Sequence, residues 1–298
     1  MMVSSLLAIV STGCVINSER HPRPRDLTEA WQVDRTRILG VRAEPPEIRP
    51  GEATRMEALV AHAYDAEPEL SLIWLACDDG GAFGCATDLS AFDFEALDPA
   101  TLREAGFIGF EPGFPPFYAA EPDLLDDLPP EARLEGVNIQ TQLFAFPADD
   151  LAEGAPGEVD FSEIEVGFKR LVVSEAKTPN NNPRIQDFAV DGIVVPTSVP
   201  TIELSSNQQY ELSLIVDEAT AIEDYLFVNS KGEIEERTEE PYAAWFVTSG
   251  EVTEPVTLYP FLDMTWTAPA EPGPGRLWAV LRDRRGGMAW LSRDYVVR

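Results

Sequence analysis

Leu277-Trp278-Ala279-Val280-Leu281-Arg282, then Asp283-Arg284-Arg285-Gly286-Gly287, then Met288-Ala289-Trp290-Leu291 form the clearest local signal in the chain. Apolar runs over 277–282 and 288–297 flank a polar, glycine-bearing pentapeptide. The glycines permit the positive φ that a tight turn demands, so the stretch predicts a β-hairpin. Upstream, short apolar runs of the same kind recur between Pro, Gly and Asn, rich in β-branched and aromatic residues, and few stretches hold a helical period. In the C-terminal half these runs are 185–190, 210–216 and 242–247. In the N-terminal half they are 38–41, a strand over 54–64 with Met56, Ala58 and Val60 on one face, 72–76, and a closing pair over 137–146 and 166–174. The two halves repeat one order, with Trp74 and Trp245 as counterparts in two cores. The expectation is an all-β chain of two tandem sandwiches.

Each half is near the size of an immunoglobulin-like domain, so the fold class is two tandem immunoglobulin-like β-sandwiches, over 37–176 and 184–298. The linker 177–183, Lys177-Thr178-Pro179-Asn180-Asn181-Asn182-Pro183, reads as a rigid turn whose Asn side chains bond their own backbone. It is superficially similar to the calcium linkers between cadherin repeats but lacks their acids. The first sandwich carries a long irregular, partly helical insertion over 78–135, too long for a sandwich loop and expected to pack as a small subdomain. Within it Asp98-Pro99 opens a short helix that Gly106 ends. Phe107, Phe110, Phe114, Phe117 and Tyr118 follow, interleaved with Gly109, Pro112, Gly113, Pro115 and Pro116. Large rigid side chains lose little entropy on binding, which makes these five the candidate ligand contacts. The competing reading is that they plug an open end of the sandwich.

A formal net charge of −30 repels phosphate backbones and argues against nucleic acid as a partner. A hydrophobic fraction of 44% is enough for real cores. The two histidines, His21 in a polar segment and His62 in an expected strand, are poorly placed as bases, and there is no G-x-S-x-G elbow. The chain is therefore read as a non-enzyme. The rival classes are a polysaccharide hydrolase, because the pairing distance of carboxylates is invisible in sequence, and a structural subunit of an envelope complex. No cofactor is expected; the alternative is calcium at Asp78 and Asp79 or at Asp126 and Asp127.

Several stretches carry a family likeness: Ile38 to Glu52, Trp74 to Cys77, Leu171 to Ile185, and Trp266-Thr267-Ala268-Pro269 leading into the 282–287 turn. To these is added the apolar Met1 to Val10 followed by Ser11, Thr12, Gly13 and Cys14. The chain resembles surface lipoproteins of GC-rich Gram-negative bacteria with immunoglobulin-like or PKD-like modules. That resemblance implies a signal peptide over 1–13, a diacylglycerol on Cys14, a tether over 14–36 and attachment to a membrane through the lipid. Val15 in place of Asp fits outer-membrane sorting, periplasmic or surface-exposed. With Cys14 lipidated, Cys77 and Cys85 remain as an even pair. In an oxidising compartment they are expected to form a disulfide worth about 2–3 kcal/mol. A metal site there would need further ligands than His21 and His62 supply. The expected role is a binding or structural module of the cell envelope, with an envelope protein or polysaccharide as partner.

Overall fold

The computed structural model describes residues 30–64, 66, 68–77, 99–104, 106–148, 164–229 and 233–298. The first half contains β1 (Arg37–Glu44), β2 (Glu47–Ile48), β3 (Ala53–Ala61), β4 (Leu70–Cys77), β5 (Phe107–Glu111), β6 (Phe117–Ala119), β7 (Val137–Pro147) and β8 (Glu165–Val173), with helices α1 (Pro99–Glu104) and α2 (Pro130–Glu135). The second contains β9 (Ile185–Val190), β10 (Ile193–Val194), β11 (Thr201–Leu204), β12 (Gln209–Val216), helix α3 (Glu218–Ala221), β13 (Asp224–Val228), β14 (Ile234–Thr238) and β15 (Tyr242–Val247). It closes with β16 (Glu251–Val252), β17 (Val256–Leu258), β18 (Asp263–Thr267), β19 (Gly273–Arg282) and β20 (Met288–Val297).

In the first half the sheet β2-β8-β7-β4-β5 faces the sheet β1-β3-β6; in the second, β11-β20-β19-β15-β17 faces β10-β9-β12-β18-β16. The halves follow one path. The first strand sits in one sheet, the chain crosses to pair in parallel with the last strand of the other, as β2 does with β8 and β11 with β20, and then returns. This is the strand order of an immunoglobulin-like sandwich, twice over. The hairpin of β13 with β14 is an addition to the second copy.

Period-2 alternation explains both cores. On β4, Leu72, Trp74 and Ala76 face the first core, with Met56, Ile139, Leu143 and Leu171, while Ile73 and Leu75 face an outer layer with Leu102, Phe107 and Phe146. On β15, Ala243, Trp245 and Val247 face the second core. Trp74 and Trp245 are fully buried and solve the same problem in the same way, because a buried indole N–H needs an acceptor. Trp74 Nε1 donates to Glu111 Oε2 on β5 and Trp245 Nε1 to Thr257 Oγ1 on β17, each at 3.0 Å.

Three expectations are corrected. Over its described part the insertion is not a separate subdomain, because β5 pairs with β4 and β6 with β3, completing the two sheets of the first sandwich. The strand expected to reach Tyr64 ends at Ala61. The segment expected as tether through Thr36 enters the fold earlier. Val33 N donates to Val247 O at 2.8 Å, Val247 N donates to Trp31 O at 3.0 Å, and Trp31 packs on the second core. The chain therefore touches the second sandwich before it builds the first, and Trp31 to Arg298 is one compact unit.

A third apolar cluster joins the halves. A bulge in β1 between Ile38 and Gly40 leaves Ile38 and Val41 both facing the first core, and Leu39 turns the other way. Leu39 and Ala61, with Val33, pack on Trp278, Val280 and Met288 of the second sandwich. Gly40 lets the two halves approach closely, since a Cβ there would lie 2.8 Å from Met288 Sδ and the methionine would have to shift.

Trp245→Ala is expected to destabilise the fold by about 3–5 kcal/mol in urea unfolding. A chain beginning at Asp34 is expected to melt at least about 3 °C below one beginning at Ala30 in thermal denaturation, with the loss in the second sandwich although only N-terminal residues are removed.

Candidate functional site

The hairpin turn 283–287 is a short polar loop with two residues at positive φ, Arg284 at 71° and Gly286 at 117°. Its three following N–H groups converge on one acceptor: Asp283 Oδ1 takes Arg285 N at 2.7 Å and the N–H groups of Gly286 and Gly287 at 2.9 Å. A Cβ on Gly287 would collide with that carboxylate and with the Asn181 carbonyl. The turn does not end in solvent. Asp283 is 1% exposed, and its Oδ2 accepts from Asn180 Nδ2 at 2.9 Å.

Around the turn the first sandwich supplies Glu47 from β2 and Lys169 from β8, each 6% exposed. Glu47 Oε1 accepts from the Ser174 hydroxyl; Glu47 Oε2 accepts from Asn180 N at 2.6 Å and from Arg285 Nη2 at 3.4 Å. Lys169 Nζ donates to the Gly286 carbonyl. From the second sandwich, Glu239, 3% exposed, accepts Arg285 Nη1 at 3.0 Å and Glu223 N at 3.1 Å. Arg285 lies 4.5 Å over the Tyr225 ring. Burial pulls the Lys169 ammonium down to about 8, against the attraction of Asp283 and with help from Arg282. Burial likewise pushes the Glu239 carboxyl up to about 7, opposed by its bonds from Glu223 N and Arg285.

The linker asparagines are not a self-bonded turn. Asn181 Nδ2 donates to Glu223 Oε1 at 2.8 Å. Asn182 Nδ2 donates to the Ala43 carbonyl at 2.7 Å and Glu44 Oε2 at 2.8 Å, and its Oδ1 accepts Met288 N at 2.8 Å. Each ties the linker to a residue distant in sequence. Beside it opens a cleft of about 380 Å³ lined by Arg42, Glu44, Asn182, Arg184, Thr220 and Trp290. Its chemistry is largely committed: Arg42 donates twice to Glu57 Oε2, at 2.8 and 2.6 Å, and stacks 4.2 Å from the Trp290 ring.

The five aromatic candidates are dispersed by the alternation of β5 and β6. Phe107 is 1% exposed and Tyr118 6%, in two different apolar layers, which removes both from any contact surface. Phe110 and Phe114 are half-buried against the outer layer, closing a turn in which Phe114 N donates to Phe110 O at 2.7 Å. Phe117 alone is outward, at 49% exposure. Asp126 pairs with Arg133 at 3.7 Å, and Asp127 lies exposed beside it. His62, just past β3, meets Thr36 Oγ1 at 3.1 Å. Cys77 ends β4; Cys14, Cys85, Asp78 and Asp79 lie outside the described residues. Sequence reasoning missed Glu47, Lys169, Glu239 and Asp283. An Asp opening a glycine-bearing turn was the one visible signal among them.

No protein-family profile matches the chain, and no curated protein matches it by sequence. Among solved structures it is similar to the tandem Ig1-2 module of Drosophila receptor protein tyrosine phosphatase DLAR, at 10% identity over 89% of this chain and 99% of that one, with a TM-score of 0.26. It is also similar to three N-terminal domains of the bacteriophage RB49 outer capsid protein Hoc, at 11% identity, covering 88% of this chain and 59% of that one, TM-score 0.23. A nucleoside hydrolase-related hypothetical protein from Saccharophagus degradans matches at 12% identity over 43% of this chain, TM-score 0.26, and the chain spans 28% of its length. At these scores none bears on function.

Asp283→Ala leaves three turn N–H groups and the Asn180 amide without their acceptor, and is expected to destabilise the full chain by about 3–5 kcal/mol in urea unfolding.

Proposed function

We propose that the chain is a lipid-anchored, extracytoplasmic module of the cell envelope that acts by binding or by holding position, without catalysis. The observation that carries this reading is the commitment of the buried charges. Asp283 and Glu47 accept bonds from protein donors that tie the linker and the two immunoglobulin-like sandwiches together, Glu239 accepts from Arg285 and Glu223 within the second sandwich, and none of the three lines the neighbouring cleft. A general acid or base needs a group held for a substrate; these are held for the fold. Anchoring rests on the Val10-Ser11-Thr12-Gly13-Cys14 run, and the outer membrane on Val15. An oxidising compartment makes a Cys77–Cys85 disulfide the companion proposal.

Mass spectrometry of the mature protein from membranes tests both parts. The expected N-terminal peptide begins at a diacylated Cys14, the non-reduced mass lies two protons below the reduced one, and Cys14→Ser leaves the membrane fraction. An unmodified Cys14 in a soluble wild type contradicts the anchor, and free thiols at Cys77 and Cys85 contradict the disulfide.

A further inference from the structure

The junction is unbalanced in charge. Among the described residues, three buried carboxylates, Glu47, Asp283 and Glu239, surround one buried cation, Lys169, and the half-buried Arg285. The next layer keeps the excess. Glu44 on β1 accepts from Asn182 and Glu223 before β13 from Asn181, Glu240 before β15 pairs with Arg284 of the turn at 3.6 Å, Arg282 at the end of β19 donates to the Leu39 carbonyl, and Tyr225 lies under Arg285 and Tyr242 under Arg282 and Arg284. A net buried charge is expensive, and one proton relieves it most cheaply on the carboxylate with the fewest donors. Asp283 accepts four bonds, Glu47 three and Glu239 two.

Glu239 and Arg285 belong to the second sandwich and Glu47 to the first. Arg285 is thus shared between an internal partner at 3.0 Å and the cross-sandwich partner at 3.4 Å. We propose that this junction is a proton-operated latch: on mild acidification Glu239 takes up the proton, Arg285 turns to Glu47, and the 283–287 turn is held more tightly against the first sandwich. The device lies beyond the anchoring and binding reading and does not depend on it.

The direction follows from linkage. An acid whose folded-state value is raised contributes stability that is fully present below its unfolded value and is lost as pH rises through the folded one. For Glu239 that window runs from the ordinary 4.5 to about 7. Between pH 6 and 8, a carboxyl titrating near 7 when docked and near 4.5 when released weakens docking about tenfold, and Lys169, near 8 when docked and 10.5 when released, offsets about twofold of that, leaving about fivefold.

Amide hydrogen exchange of Gly286 and Gly287 in the full chain, corrected for intrinsic rate, reads the latch directly. The wild type is expected to open about fivefold more at pH 8 than at pH 6, and Glu239→Gln to lose that excess. A wild type whose opening is independent of pH, or a Glu239→Gln variant that still opens about fivefold more at pH 8, overturns the proposal. Should the variant not fold, carboxyl NMR of 13C-glutamate-labelled wild type decides: a Glu239 midpoint near 7 supports the latch, and one in the ordinary carboxylate range overturns it.

Discussion

A carboxylate buried beneath a hairpin turn has to find every donor it needs inside the protein, and that requirement at Asp283 organises the rest of the molecule. Its first oxygen gathers the turn's own N–H groups, which fixes Gly286 at positive φ and excludes a side chain at Gly287. Its second oxygen fixes Asn180, whose backbone N–H in turn fixes Glu47 on β2. The linker, the last hairpin and the first sandwich's edge strand are thereby one hydrogen-bonded object. Ser174, Arg285 and Lys169 are drawn in as further partners, and Asn180 Oδ1 is left buried without one among the described residues.

The apolar side of the same junction works by reach. Trp31 and Val33 bond to and pack on the second sandwich, and only then does the chain enter β1. Leu39, released from the first core by the β1 bulge, covers Trp278 and Val280. Residues near the start of the unit from Trp31 to Arg298 therefore complete a surface made near its end. The two sandwiches have separate sheets, yet neither has all its burial from its own residues. This sets the junction apart from a flexible linker between autonomous beads.

Much of the fold was readable in the sequence. Apolar runs of period 2 gave 185–190 and 242–247 residue for residue, and the glycine-bearing turn gave the last hairpin. Trp74 and Trp245 were readable because a large apolar residue inside an apolar run has few places to go. The aromatic row misled because Pro and Gly between the rings looked like a loop, whereas Phe107 and Tyr118 are inward positions of two strands belonging to different sheets. The hairpin of β13 and β14 was missed because β14, Ile234-Glu235-Glu236-Arg237-Thr238, carries no apolar period and Leu226 and Ile234 are left exposed. The junction was unreadable for a different reason. Its partners across the two halves lie more than a hundred residues apart, as Lys169 does from Gly286, and in a chain of net charge −30 three buried acids look like all the others.

Scanning calorimetry of the full chain tests most directly the claim that one buried network makes two sandwiches a single body. The account predicts one transition whose calorimetric and van't Hoff enthalpies agree. Two resolved transitions, each with the enthalpy of a single sandwich, would contradict it.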